Sequence, residues 1–327
     1  MKKILFSIIV AVYFVASCGN NHEKKCISFS GQAFGTFYNI TYFDSLTRNL
    51  QSEIDSLFND FNMSLSAYNP NSILSKINKN IDTELDDYFQ TVFERAKYFY
   101  EITDGAFDIS ASPLFSVWGF GFDNKENITP ELIDSLKQFV GMEKIDIVDA
   151  KIIKSDSRVN INANAIAKGY AVDVAACFLL ANDINDFLIE IGGEIVVRGK
   201  NKHNEDWAIG IDKPFDGNYN PGDDIIYAMK LTNKAVATSG NYRQFYVENG
   251  KKHAHTIDPR TGYPAQNSLL SATVIANDCM SADAVATSLM VMGIEKAKEF
   301  LSAHPEYQAY LVYDENGKYL ELMVNFF

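Results

Sequence analysis

Asp283 and Thr287 stand four residues apart, so on a helix they share one face a single turn apart. A carboxylate and a hydroxyl so placed are hard oxygen donors, suited to Mg²⁺ and poor for zinc. The same Asp283 also fits a first-turn acid that complements the helix dipole, with Ser281 as the expected cap. A second run, Asn162 to Tyr170, combines small residues that let a ligand approach the backbone with Lys168, a point charge for a phosphate. It reads equally as the start of an alanine-rich helix with a solvated lysine. In the third, His253 to Gly262, an extended backbone puts His253 and His255 on one side, ahead of a tight Asp-Pro-Arg-Thr-Gly turn. A histidine there is a candidate general base near neutral pH; the alternative is a polar hairpin loop. Thr103 to Asp108, continuing through Pro113 to Trp118-Gly119-Phe120-Gly121, mixes aromatic and small residues that suit a flat-ring pocket or simply core and turn.

These segments need a scaffold, and the periodicities supply one. Leu46, Leu50, Ile54, Leu57, Phe58 and Phe61 predict an amphipathic helix, and Leu85, Phe89, Val92, Phe93, Ala96 and Phe99 a second. Thr129-Pro130-Glu131 opens a third, which Gly141 stops. Ala165 to Leu180 is apolar, alanine-rich and expected to be helical. Strand patterns cover Phe187–Ile191, Glu194–Val197, Trp207–Ile211, Ile225–Leu231, Leu269–Ala276 and Gln308–Tyr313. Asn316-Gly317 then joins that last run to Tyr319–Val324 as a hairpin. Helices interleaved with hairpin-joined strands predict an α+β fold of mixed, largely antiparallel sheets with packed helices, not a doubly wound one. Gly192-Gly193 reads as a tight turn, since no G-x-G-x-x-G opens a helix there.

With 327 residues, 47% hydrophobic and rich in Phe and Tyr, the chain can bury a large core. A net charge of −13 argues against duplex nucleic acid as a partner and means that an anionic ligand needs a local cation. Lys2 and Lys3 precede an apolar run, Ile4 to Val15, that ends in Val15-Ala16-Ser17-Cys18, which resembles the bacterial lipoprotein box. Residues 1–18 are therefore expected to be a signal peptide ending at a lipidated Cys18. Residues 19–28 are expected to be a tether, and 29–327 one domain working outside the cytoplasm on a membrane anchor. Cys177 and Cys279 are expected either to pair or to be two buried thiols.

Taken together, the segments resemble the ApbE family of FAD:protein FMN transferases. The resemblance runs from Phe34 to about Met292. It is carried by Gly35-Thr36-Phe37-Tyr38, Met63-Ser64 with Tyr68-Asn69-Pro70, Asp104 to Asp108, Trp118 to Gly121 and Ile166 to Asp173. Gly192-Gly193-Glu194, Ala237-Thr238-Ser239-Gly240, His255 to Gly262, and Ala282-Asp283 with Thr287 complete it. It implies an ApbE-like, T-fold-like architecture and transfer of FMN from FAD to a Thr or Ser of an exported acceptor flavoprotein, with release of AMP. Subunits of sodium-pumping and related electron-transfer complexes are typical acceptors. It also implies Mg²⁺ on Asp283, Thr287 and the Ala165 carbonyl, and FAD against Phe34, Tyr68, Ala106, Phe107, Asp108, Asn162, Lys168, His255, Thr256 and Ile257. His255 is the candidate base, with Asp283 able to share the role and Lys168 as a second positive charge. Phe34 stands where many members have Met, Asn162 where Asp is frequent, and Ile109 to Ser112 depart from the commoner wording. Hydrolysis of FAD by water, or non-catalytic FAD binding, are the alternative activities.

Overall fold

The computed structural model describes residues 24–119, 128–215, 222–241, 245–248, 251–254 and 256–326, with 245–248 and 251–254 as backbone. The expected signal peptide with Cys18, the tether as far as residue 23, Phe120, Gly121 and His255 lie outside these residues. The chain opens with a hairpin, β1 (Lys25–Ala33) and β2 (Thr36–Asp44). Helices α1 (Gln51–Leu65), α2 (Ile73–Asn78), α3 (Asp87–Ile102), α4 (Ser112–Val117) and α5 (Pro130–Lys137) follow. A short hairpin, β3 (Ile145–Val148) and β4 (Lys151–Lys154), leads to α6 (Ala167–Ala181). Next come β5 (Phe187–Ile191), β6 (Glu194–Arg198), β7 (Trp207–Asp212), β8 (Ile225–Leu231) and β9 (Lys234–Gly240). The short strands β10 (Phe245–Glu248), β11 (Lys251–Ala254), β12 (Ile257–Asp258) and β13 (Tyr263–Pro264) precede β14 (Leu269–Ala276) and α7 (Cys279–Ala303). The hairpin β15 (Gln308–Glu315) and β16 (Lys318–Val324) closes the order.

Eight strands form one sheet in the order β1-β2-β5-β6-β9-β14-β15-β16, and every neighbouring pair is antiparallel. This is the expected α+β arrangement. One face carries α6 and α7, with α1 to α3 outside them, and the main core fills the space between. The β7–β8 hairpin covers the other face through Trp207, Ile209, Ile211 and Met229 against Val197, Val236, Ile275 and Val312. Because α6 lies between the sheet and the outer helices, it is apolar nearly all round, as its alanine-rich sequence foretells.

The departures have local causes. Strand β1 pairs with β2 from Lys25, so the last four residues of the expected tether belong to the sheet. Alternation hides there, because Ser28 and Ser30 face outward beside Phe29. The helix expected from Leu46 begins at Gln51. The Arg48 guanidinium forks onto Asp44 at 2.9 and 3.1 Å and reaches the Asn182 carbonyl at 2.8 Å, which holds the corner open and leaves Leu46 exposed. Ser281 is not the cap of α7. Asp278 is, accepting the Ser281 amide at 2.8 Å, and the helix starts two residues before Ser281. Asp278→Ala is expected to lower stability by about 1 kcal/mol, the usual worth of a cap, measurable as a reduced urea midpoint at unchanged slope. The Cys177 thiol is exposed, the Cys279 thiol buried, and both are free.

Candidate active site

The site forms where α6 crosses α7. At Gly169 a side chain is impossible without backbone movement: a Cβ would lie 2.3 Å from the Cys279 carbonyl oxygen and 2.8 Å from the Asp283 Cβ. Glycine therefore lets the two helices touch, and the Gly169 amide donates to Asp283 Oδ2 at 3.1 Å. In a helix continuing backward, that amide would serve the Ala165 carbonyl four residues earlier. Since it turns to Asp283, no donor among the described residues occupies the Ala165 carbonyl. A second α6 residue, Asp173, accepts the Cys279 and Met280 amides at 2.8 Å each and fastens the first turn of α7. Burial pushes the Asp173 carboxyl up to about 7. Arg95 of α3 reaches Ser281 Oγ at 2.6 Å from the other side.

Lys168, one residue before Gly169, ion-pairs with Glu194 at the start of β6, Nζ to Oε1 2.5 Å. Glu194 and Asp283 are both buried, at 3% and 4% exposure, whereas the lysine side chain is about a third exposed. Burial alone lowers the Lys168 pKa, but the Glu194 and Asp283 carboxylates outweigh it and hold the ammonium above its ordinary range. Burial raises Asp283, opposed by Lys168 and the Gly169 amide. It raises Glu194 too, opposed by Lys168 and reinforced by Asp283. One turn along α7, Thr287 Oγ1 meets Ser239 Oγ of β9 at 3.2 Å.

Backbone and side-chain links hold the other expected residues in their own segments. The Asn162 amide donates to the Ile109 carbonyl at 2.7 Å, which lays the segment before α6 beside Asp108. Asp108 is buried, its pKa pushed up to about 6, and accepts the Ser110 amide and hydroxyl at 2.7 and 2.6 Å. Ala106 and Phe107 are buried as well, with Phe107 edge-on to Phe99 in the core, so this stretch offers a ligand mainly backbone. Asp108 also lines a cavity of about 460 Å³ bounded by Tyr100, Asp104, Lys137, Glu143 and Arg260. Thr256 donates to Asn241 Oδ1 at 2.8 Å, two residues past Ser239, and Ile257 is buried against the α4–α5 cluster. The Asp-Pro-Arg-Thr-Gly turn closes as expected, Gly262 N to Asp258 O 2.8 Å, and Trp118 Nε1 donates to the Gly262 carbonyl at 2.8 Å. Phe34 packs edge-on against Phe58 and Phe61, and Phe61 continues to Tyr170 on α6. Tyr68 is 73% exposed on the loop after α1.

Three participants escaped the reading of single segments. Glu194, Ser239 and Asp173 sit in strands or helices whose local pattern gives a charge or hydroxyl no special place. For Glu194 and Asp173 the signal was a charged residue inside an otherwise apolar run, most plainly in Gly192-Gly193-Glu194-Ile195-Val196-Val197; Ser239 carried none. Among the described residues no group of three or more His, Cys, Asp and Glu side chains is poised to hold a metal.

The ApbE family model matches residues 34–311. An FAD:protein FMN transferase of Haemophilus influenzae is 35% identical over 315 residues, covering 91% of this chain and 90% of its own. Among solved structures, the flavin transferase ApbE from Vibrio cholerae superposes with a TM-score of 0.82 at 31% identity, covering 92% of this chain and 97% of its own. The apo flavinyl transferase ApbE of Pseudomonas stutzeri gives 0.84 at 26% identity, covering 92% and 95%. A match across most of the chain, in both sequence and fold, places this protein in the ApbE family.

Proposed function

We propose that this protein transfers FMN from FAD to a threonine or serine hydroxyl of an exported acceptor flavoprotein, releasing AMP. The observation that carries the proposal is the Gly169–Asp283 contact, which sets a buried carboxylate against the first turn of α6, with Thr287 one turn on along α7. Asp283, Thr287 and the Ala165 carbonyl are all hard oxygen donors, so their chemistry fits Mg²⁺, with only one charged side chain among them. Held by these three oxygens, Mg²⁺ would neutralise diphosphate charge and polarise the phosphorus next to riboflavin. Lys168 adds a fixed positive charge in a strongly acidic chain.

Phosphoryl transfer depends on positioning and charge more than on covalent protein chemistry, which suits a site this sparse in reactive groups. The acceptor hydroxyl oxygen forms a bond to the FMN phosphorus. The bond from that phosphorus to the AMP phosphate oxygen breaks, and AMP leaves with the electron pair. His255 takes the hydroxyl proton, a role Asp283 can share. Phe34, Tyr68, Ala106 to Asp108, Asn162, Thr256 and Ile257 orient FAD. The FAD:protein FMN transferase activity named for the Haemophilus relative supports the reading. So does the lipoprotein-box resemblance at Cys18, which suits a lipid-anchored enzyme facing outward toward exported acceptors. No helix among the described residues is long and apolar enough to cross a membrane.

The test mixes the protein, FAD, Mg²⁺ and a candidate exported flavoprotein domain, with products followed by intact mass and chromatography. A mass gain on the acceptor of one FMN less one water, with an equal amount of AMP, is the expected result. Free FMN and AMP with an unmodified acceptor would instead establish hydrolysis by water.

A further inference from the structure

Glu194 lies outside the residues assigned above to metal and FAD, yet it is among the most deeply buried charges of the crossing. Gly192 (φ 62) and Gly193 (φ 105) make the turn that delivers it to the first position of β6. Its Oε1 takes the Lys168 ammonium, while its Oε2 is buried without a partner among the described residues. Lys168 has two carboxylates acting on its charge, Glu194 and Asp283, and it bonds to Glu194. Asp283 is left with the Gly169 amide as its one hydrogen-bond partner among the described residues.

An ammonium and a divalent cation compete for the same carboxylate lone pairs. We infer that Glu194 is a positioning residue that holds the Lys168 ammonium off Asp283, keeping that carboxylate open to the divalent cation. The inference rests on the metal assignment proposed above. Once Glu194 loses its charge, the flexible lysine stem turns to Asp283, the remaining carboxylate, and a metal then has to displace an ion pair.

Metal binding tests this without recourse to turnover. Mn²⁺ is titrated into the full chain without FAD or acceptor, and binding is read from loss of the free-ion EPR signal. Glu194→Gln is expected to raise the Mn²⁺ midpoint by about 10-fold or more, the scale seen when a group supporting a metal ligand is lost. The double variant Glu194→Gln with Lys168→Met, which removes the competitor, is expected to return near the wild-type midpoint. Replacing both partners of a buried pair is also the change most compatible with folding. Glu194→Asp, one methylene shorter, is the milder variant and is expected to fall between, with thermal melts confirming that each protein is folded. A wild-type midpoint in both folded single variants overturns the inference, as does a double variant as weak as Glu194→Gln. If the wild type takes up no Mn²⁺, or Asp283→Ala takes it up equally well, the metal assignment itself fails and this inference with it.

Discussion

Asp283→Ala is expected to lower FMN transfer by about 10²–10³-fold, the cost of removing one preorganised electrostatic contact to a developing charge. Asp283 is buried where α6 meets α7 and supplies the one carboxylate of the proposed oxygen set. Packing and charge are separable there, because Asp283→Asn keeps a carbonyl oxygen for the Gly169 amide while removing the charge. The asparagine variant is expected to melt close to wild type and to lose transfer almost as fully as alanine. Steady-state transfer to a purified acceptor, with thermal melts on the same samples, reads both. Full activity of Asp283→Ala at ordinary magnesium would falsify the metal assignment, and a large drop in the melting temperature of Asp283→Asn would reduce the residue's role to structure.

Gly169→Ala is the second large effect, and it acts on stability and activity together. The added methyl meets the Cys279 carbonyl at 2.3 Å, and backbone at a helix crossing cannot swing aside as a side-chain tip can. The helices must separate, at a cost of about 3 kcal/mol, the upper end for overpacking, which lowers the melting temperature by roughly 5 °C or more. The same separation moves Asp283 away from the first turn of α6. A misplacement near 1 Å is worth about 10²-fold in rate, so the folded fraction should transfer FMN slowly even when corrected for its population. Melting and per-folded-molecule rates that both match wild type would show that the crossing tolerates a side chain.

Much of the fold was legible because hydrophobic spacing reports directly on burial. The runs Phe187–Ile191, Ile225–Leu231 and Leu269–Ala276 are strands with those bounds, and Thr129 caps α5 through the Leu132 amide as its type suggests. Ends were less legible where a tertiary contact sets them. Arg48 on Asp44 moved the start of α1, and Asp278, with Asp173 reaching across from α6, moved the start of α7.

For the site, the sequence by itself determined the chemical types: hard oxygen donors one helical turn apart, a lysine among small residues, and a histidine before a tight turn. Nine motifs in order also pointed to the ApbE family. Only the tertiary structure decided which of these groups meet. Gly169 and Asp283 lie 114 positions apart, and their contact depends on a missing Cβ at a helix crossing, a property of two surfaces together. Glu194 shows the same limit more sharply. A carboxylate at a strand start has no periodicity to betray it, and its significance arises only when the sheet sets it against the lysine of a neighbouring helix.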